Sequence, residues 1–445
     1  MGEAERKVTV IGAGLAGCEA AQYLAKRGIC VRLYDCKPKS FTPAHHSEGL
    51  AELVCSNSLK SNDVYGNACG LLKEEMRLLG SLIIEAADAT RVPAGGALAV
   101  DRDAFSAYVT RKIKQNPLIE YVCEEAEAIP EGYAIVATGP LTQGKLAEDI
   151  AAKLGGNLAF YDAAAPIVSA QSIDFSKTFT ADRYGKGDGD YVNCPLNKEE
   201  YDAFVEALGS AERAVVHDFD KREVFEGCMP VEIMASRGKD TLRFGMMKPV
   251  GLYDENGKRP YAVLQLRKEN CAGSAYNLVG FQTNLKFSEQ KRVFSIIPAL
   301  KNAEYLRYGV MHRNTFLNAP AVLNADYSLK SDPTVFFAGQ ITGVEGYVES
   351  AGSGLIAAIA CARKIEGRPS VAWDATTVSG ALCLHISTPN PDFQPMNANY
   401  GILAPLSEQT RDKALKKKLF AERALLRIGE IAKEEVNHGS AEMPK

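Results

Sequence analysis

No two of the eleven cysteines are spaced C-x-x-C, which removes the zinc ribbon and the thioredoxin-type dithiol from the classes to consider. Small buried thiols in a reducing compartment account for most of such a set, and an odd count argues against a fully paired disulfide framework. No uncharged apolar run comes near the roughly 20 residues that a membrane-spanning helix requires. Mixed charge at the N-terminus runs straight into Val8-Thr9-Val10-Ile11, without the basic and apolar regions of a secretory signal. A soluble, cytoplasmic protein is expected. There is no basic excess either: 51 Lys and Arg face 55 Asp and Glu, and a net charge of −4 with a pI near 6.0 argues at first against a nucleic-acid binder. Repeats and low-complexity segments are missing. With 46% hydrophobic and 24% charged residues, the 445-residue chain has the composition of two or three globular domains and not of a disordered, collagenous or coiled-coil protein.

What is present begins with the first strand. Val8 to Ile11 is a β-branched run of the kind buried on both faces, and Gly12-Ala13-Gly14-Leu15-Ala16-Gly17 follows at once. Residues 19–27 read as a helix stopped by Gly28, and Ile29 to Tyr34 as a second strand ended by Asp35. In this βαβ unit Gly12 permits the tight turn, Gly14 the approach of backbone to a pyrophosphate, and Gly17 the close packing of helix on strand. Asp35 stands where an acid accepts from a ribose hydroxyl. Strand-like segments recur at 133–139 and, far downstream, at 334–340. The latter contains Gly339 and precedes Gly343, Gly346, Gly352 and a small-residue helix at 354–360 that opens on Gly354. A plain NAD domain has no use for this late return, whereas large two-part flavoproteins close their site with it, so FAD is the expected cofactor.

The expected fold is therefore α/β, a discontinuous Rossmann-like FAD-binding domain with an inserted α+β domain. The limits drawn are 1–159 and 326–445 for the two FAD-binding parts and 160–325 for the more β-rich insertion. The second part ends in a basic amphipathic helix with Leu415, Leu419 and Leu426 on one face.

Two cysteines sit in unusual surroundings. Cys55 lies in the polar loop Val54-Cys55-Ser56-Asn57-Ser58, and Cys228 in Glu226-Gly227-Cys228-Met229-Pro230. Loops of this kind present nucleophiles, with Lys60 and Arg237 as candidate sources of the positive charge that a thiolate needs.

At this level of detail the chain resembles the folate- and FAD-dependent tRNA uracil-5-methyltransferases, the TrmFO family, shorter relatives of the GidA/MnmG flavoproteins. The resemblance is carried in order along nearly the whole chain. It comprises Gly12 to Gly17, Thr42-Pro43-Ala44-His45-His46, the Cys55 loop, Val92 to Arg102, Ala163 to Val168, the Cys228 loop, Lys248 to Leu252, Met311 to Phe316, Val344 to Ser350 and Phe393 to Asn397. It implies transfer of the one-carbon unit of 5,10-methylenetetrahydrofolate to C5 of the T-loop uridine (position 54) of tRNA, with FAD as resident cofactor and NAD(P)H as reductant. Uracil C5 is nucleophilic only after a group has added at C6, so a thiolate, a base and a hydride source are all required. The resemblance implies that Cys228 is the nucleophile and Cys55 the second cysteine, a candidate base. Which of the two takes which role stays open. The glycine motif, its acid and the downstream glycines place the expected cofactor contacts at Gly12, Ala13, Gly14, Leu15, Ala16, Gly17, Asp35, Gly339, Gly346 and Gly352, and no metal is expected. Two departures stand out. Asp35-Cys36-Lys37 replaces the family's usual Glu-Met-Arg with the carboxylate kept, and Asn284 stands where a histidine is usual. His45, His46 and His312 read as structural.

Charge is sorted along the sequence. Residues 237–313 hold fourteen cations against six acids, a surplus of eight, which leaves the rest of the chain at −12. Tyr253, Tyr261, Tyr276 and Phe281 lie among these cations, a pattern suited to RNA that stacks an unpaired base. The alternatives weighed beside a tRNA enzyme are the same chemistry on a ribosomal RNA uridine, a small-molecule FAD oxidoreductase and a non-catalytic dinucleotide-binding regulator.

Overall fold

A computed structural model describes residues 7–42, 44–154, 157–183, 190–214, 229–254, 256–407 and 410–439. Cys228 lies outside them. The opening unit forms as its pattern demands: strand β1 (Lys7–Ile11), helix α1 (Leu15–Lys26) and strand β2 (Cys30–Asp35). Val8 and Val10, two residues apart and so on one face of their sheet, are fully enclosed, and Thr9 between them is half-buried. That sheet has five parallel strands in the order Val335–Phe337, Ala134–Val136, β1, β2, Ile119–Cys123. The downstream return thus enters beside Ala134–Val136, at the edge away from β2. The strands at 134–136 and 335–337 are shorter than the hydrophobic runs that announce them, because the residues after each strand turn away to form the rim of a cleft.

The late helix also differs from its expected extent. It runs from Tyr347 to Ile365, so it begins seven residues before the expected start at Gly354 and takes in Gly352. The reason is packing. A Cβ on Gly354 would sit 2.2 Å from Ala16 O, so only glycine lets this helix lie directly on α1.

Two buried carboxylates tie further helices to this core. Glu19 accepts from Ser81 Oγ (2.6 Å), Leu82 N (2.9 Å) and Ile83 N (2.9 Å) at the start of the helix Leu82–Ala89. Glu75 does the same for Val378 and Ser379, opening the helix Val378–His385. Each supplies acceptors for amides that a helix start leaves unpaired, at the positive end of the helix dipole.

A second core lies around a six-stranded antiparallel sheet built from Phe179–Thr180, Val192–Leu196, Ala262–Lys268, Ala275–Leu278, Ile167–Ser169 and Tyr305–Arg307, in that order. Tyr201, Phe204, Phe281 and Phe294 are buried within it. The strand Asn157–Ala163 pairs antiparallel with Met311–Leu317, so the chain leaves the parallel sheet and returns to it along one ribbon.

The C-terminal helix Lys413–Gly439 is present, but its buried stripe is Phe420, Ala421, Ala424, Ile428 and Ile431. Leu415 and Leu426, assigned above to the apolar face, are exposed at 44% and 70%. The true stripe uses small alanines, which a search for leucines passes over. Among the described residues no helix is long and apolar enough to cross a membrane.

Candidate functional site

A cleft of about 1360 Å³ opens where the chain turns off the C-terminal ends of the parallel strands, the place where open α/β sheets bind ligands. Gly12, Ala13, Gly14, Leu15, Ala16, Asp35 and Gly339 all line it, together with Thr138, Gly139 and Tyr347. Gly12 has φ +98°, and a Cβ there would press to 2.5 Å from Ala137 O, so glycine is required twice over. Gly14 caps α1 without a side-chain bond, and a Cβ on it would meet nothing within 4 Å, which leaves the first-turn amides open to the cleft. Asp35 fastens the turn: its carboxylate accepts from Ala13 N at 2.7 Å and from Lys37 N at 2.9 Å. Open amides, a glycine cradle and a carboxylate in one wall are the donor set that a dinucleotide needs.

Three expected contacts stand elsewhere. Gly17 presses against Gly12 O and serves packing, which is the role its place in the motif predicts. Gly346 faces Glu349 and Lys60, and Gly352 faces Met76 and Leu72, so both support the wall from behind. His45 lines the cleft, with Nδ1 2.5 Å from Thr42 Oγ1, and burial followed by the charge of Lys37 lowers its pKa.

Cys55 is half-buried on a loop held from several directions. Ala51 N donates to Ala13 O at 2.9 Å, which joins the loop to the turn after β1. Arg102 donates to Leu53 O and pairs with Glu269 at 2.8 Å. Arg267 donates to Ser56 Oγ (2.7 Å) and Asn57 Oδ1 (2.9 Å). Tyr347 Oη meets Cys55 N at 2.7 Å, Ser56 N at 3.1 Å and Cys55 Sγ at 2.9 Å. Arg102 and Arg307 both interact electrostatically with Cys55. Burial works against the charge on Arg102, but Glu269, Tyr347 and Cys55 together outweigh it and hold that guanidinium above its usual value; burial and then Arg102 pull Arg307 down. Of the cations named from sequence, Lys60 pairs with Glu349 at 3.5 Å.

A second cleft, about 1350 Å³, lies on the other side of this loop, and Glu52 lines both. Its walls include Arg102, Arg307, Phe287, Tyr305 and Tyr308. Phe287, Tyr308 and Tyr305 form a continuous stack, with ring centroids 4.4 and 4.9 Å apart and planes within 15° and 7° of parallel. The aromatics named from sequence divide differently. Tyr253 is exposed, but Phe281 is fully buried and Tyr276 nearly so, and neither can receive a base. The basic surplus also divides. Arg267 is buried under the Cys55 loop, and Lys239, Lys286 and Arg292 pair with Asp202, Glu212 and Glu289, whereas Lys258, Arg259, Lys291 and Lys301 are exposed. Asn284 is a strut: its amide N–H donates to Glu232 at 2.8 Å, and its side chain reaches Ala214 O at 3.2 Å.

Fold and clefts define a Rossmann-like α/β protein, with one cleft at the strand ends of a discontinuous parallel sheet and a second cleft between the Cys55 loop and the antiparallel sheet. The family profile described as glucose inhibited division protein A matches residues 7–369. A methylenetetrahydrofolate–tRNA-(uracil-5-)-methyltransferase TrmFO of Acetivibrio thermocellus is 60% identical over 422 residues, 94% of this chain and 97% of that protein. Proteins of the same name from Geobacter sulfurreducens (57% identical, 95% and 98% covered) and Listeria monocytogenes (55%, 97% and 100%) are similar over equal lengths. The solved structure of Aquifex aeolicus GidA shares the fold, with a TM-score of 0.71 at 17% identity over 97% of this chain and 73% of that one. The chain belongs to the glucose inhibited division protein A family and, within it, to the TrmFO group.

Proposed function

We propose that the protein is a flavin-dependent methyltransferase that moves the one-carbon unit of 5,10-methylenetetrahydrofolate to C5 of a uridine in tRNA. Near-full-length identity of 60% to a protein of that name carries this reading, and the cleft beside Cys55 is where such chemistry fits. The finer assignments are the T-loop uridine at position 54 as target, FAD as resident cofactor and NAD(P)H as the source of electrons. A flavin held in the first cleft and reduced by NAD(P)H would supply the two electrons that turn a methylene carbon into a methyl group. For that cofactor, Gly14 to Ala16 offer backbone amides to phosphate oxygens, Asp35 offers acceptor lone pairs to a ribose hydroxyl, and Gly339 lets the returning chain come close.

The residues of the second cleft serve the RNA. Phe287, at the exposed end of the stack, presents a ring face on which an unstacked base can rest, and Lys291, exposed beside Tyr308, can meet a phosphate. Cys55 and Cys228 are the paired cysteines: one thiolate adds to uracil C6, which makes C5 nucleophilic, and the other group accepts the C5 proton as the adduct collapses.

Purified protein, supplied with unmodified tRNA, labelled methylenetetrahydrofolate and reduced nicotinamide, is expected to show a flavin spectrum and to label tRNA. Cys228→Ala and Cys55→Ala should each lower labelling at least about a hundredfold with flavin retained. Label in ribosomal RNA alone would redirect the proposal to that substrate, and no label in either RNA would remove it.

A further inference from the structure

We infer that Tyr347 is a positioning residue that holds the Cys55 thiolate by donating its phenolic hydrogen to Sγ. The inference deepens the reading above and rests on Cys55 being one of the two working cysteines. Its basis is a count of hydrogen bonds at one oxygen. Cys55 N and Ser56 N lie 2.7 and 3.1 Å from Tyr347 Oη and both donate to it. A phenol oxygen offers two acceptor positions and one donor, so the two amides fill the acceptor positions and leave the donor. The third group at bonding distance is Cys55 Sγ, at 2.9 Å. A thiol proton aimed at Oη would be a third donor to an oxygen with no acceptor position left. The contact is therefore satisfied with O–H donating to sulfur, which favours the charged form of the sulfur, because a hydrogen bond to an ion is about twice as strong as one to a neutral group.

The surroundings act in the same direction. Tyr347 opens the helix Tyr347–Ile365, so its position is set by the packing of that helix on α1. Burial, and then the neighbouring sulfur, raise the phenol well above its ordinary value, so it keeps its proton. Charged groups reach the loop from every side. Arg102 comes from the helix Arg102–Lys114, Arg267 from the strand Ala262–Lys268 and Arg307 from the strand Tyr305–Arg307, while Glu52 is in the loop itself. Glu269 is held by Arg102, and Glu349 by Lys60. With Arg102 paired to Glu269, the two remaining guanidiniums, Arg267 and Arg307, outnumber the one carboxylate of the loop among the described residues. The proton that Cys55 gives up passes to solvent, and Tyr347 keeps its own. The thiolate then either adds to carbon or takes the C5 proton, and the phenol hydrogen bond serves both divisions of labour.

The test is the pH profile of Cys55 alkylation by iodoacetamide in the flavin-loaded enzyme. It is read at the Cys55 peptide by mass spectrometry, so that the exposed Cys30 and Cys271 do not contribute. Tyr347→Phe should shift the midpoint upward and slow alkylation at pH 7 about tenfold. Phenylalanine also removes the acceptor of two amides, so a second variant carries 3,5-difluorotyrosine at position 347. It keeps both amide contacts with a more acidic phenol and should move the midpoint downward. A midpoint unmoved by the change in phenol acidity overturns the inference. Methylation assayed in parallel separates the two failures: a Cys55→Ala enzyme that methylates tRNA normally would remove the role of Cys55, whereas an unmoved midpoint removes the hydrogen bond and leaves that role standing.

Discussion

Gly12 is constrained twice over, since its conformation and its missing side chain are both used. At φ +98°, with Ala137 O 2.5 Å from where a Cβ would stand, Gly12→Ala has to bend the turn or push away the neighbouring strand. The expected cost is about 1–3 kcal/mol and loss of flavin on gel filtration, checked by thermal melts and by the ratio of flavin to protein absorbance. Full flavin content in this variant would show that the turn is not the phosphate site. Residues of this sort are legible in a sequence because their constraint is local: the turn, its glycines and the acid ending the next strand all lie within one βαβ unit. The environment of Cys55 is not local. Arg102, Arg267, Arg307 and Tyr347 come from four separate elements, and proximity in sequence, which pointed to Lys60, says nothing about them. Tyr347 lies in a segment that carries the family resemblance, but only the positions of Oη and two amides give it a role.

Among the elements, the C-terminal helix shows how far an isolated pattern can be read. Its existence and basic character follow from the sequence, but its buried face depends on the surface it meets. That surface includes Tyr23, Arg27, Arg363 and Arg368. Glu435 accepts from Tyr23 Oη at 2.6 Å, from Arg363 Nε at 2.8 Å and from Arg368 Nη2 at 2.9 Å. These ion pairs are mostly buried, and removing one partner leaves charge without compensation. Glu435→Ala is expected to destabilise by about 3 kcal/mol, seen as a lower midpoint in urea. A variant within about 0.5 kcal/mol of the parent would show that the helix is anchored by its apolar stripe alone. The glycines of the helix Tyr347–Ile365 carry the same lesson. A glycine-rich stretch reads as a loop until a partner helix is close enough to require the absence of side chains.

For the molecule as a whole, net charge was the wrong quantity. The −4 of the chain conceals a surplus of eight positive charges in residues 237–313, and folding divides that surplus again into buried struts, surface pairs and exposed cations. If the exposed set meets RNA, tRNA affinity should fall steeply with salt, and Lys291→Ala combined with Lys258→Ala should flatten the slope of log K against log salt by roughly 2. Filter binding across a salt series measures this, and a slope unchanged in the double variant would place the RNA on another surface. The sequence by itself determined the dinucleotide turn, the α/β class with its late returning strand, and the family. These depend on contiguous residues, on the period of apolar positions and on motifs that run in order along the chain. Only the tertiary structure decided which glycines line the cleft and which pack helices, which cations surround Cys55, which aromatics remain open to a ligand, and where the proton of Tyr347 points. Each of these is settled by atoms from distant segments meeting within hydrogen-bond or van der Waals distance, and linear spacing holds no record of such meetings.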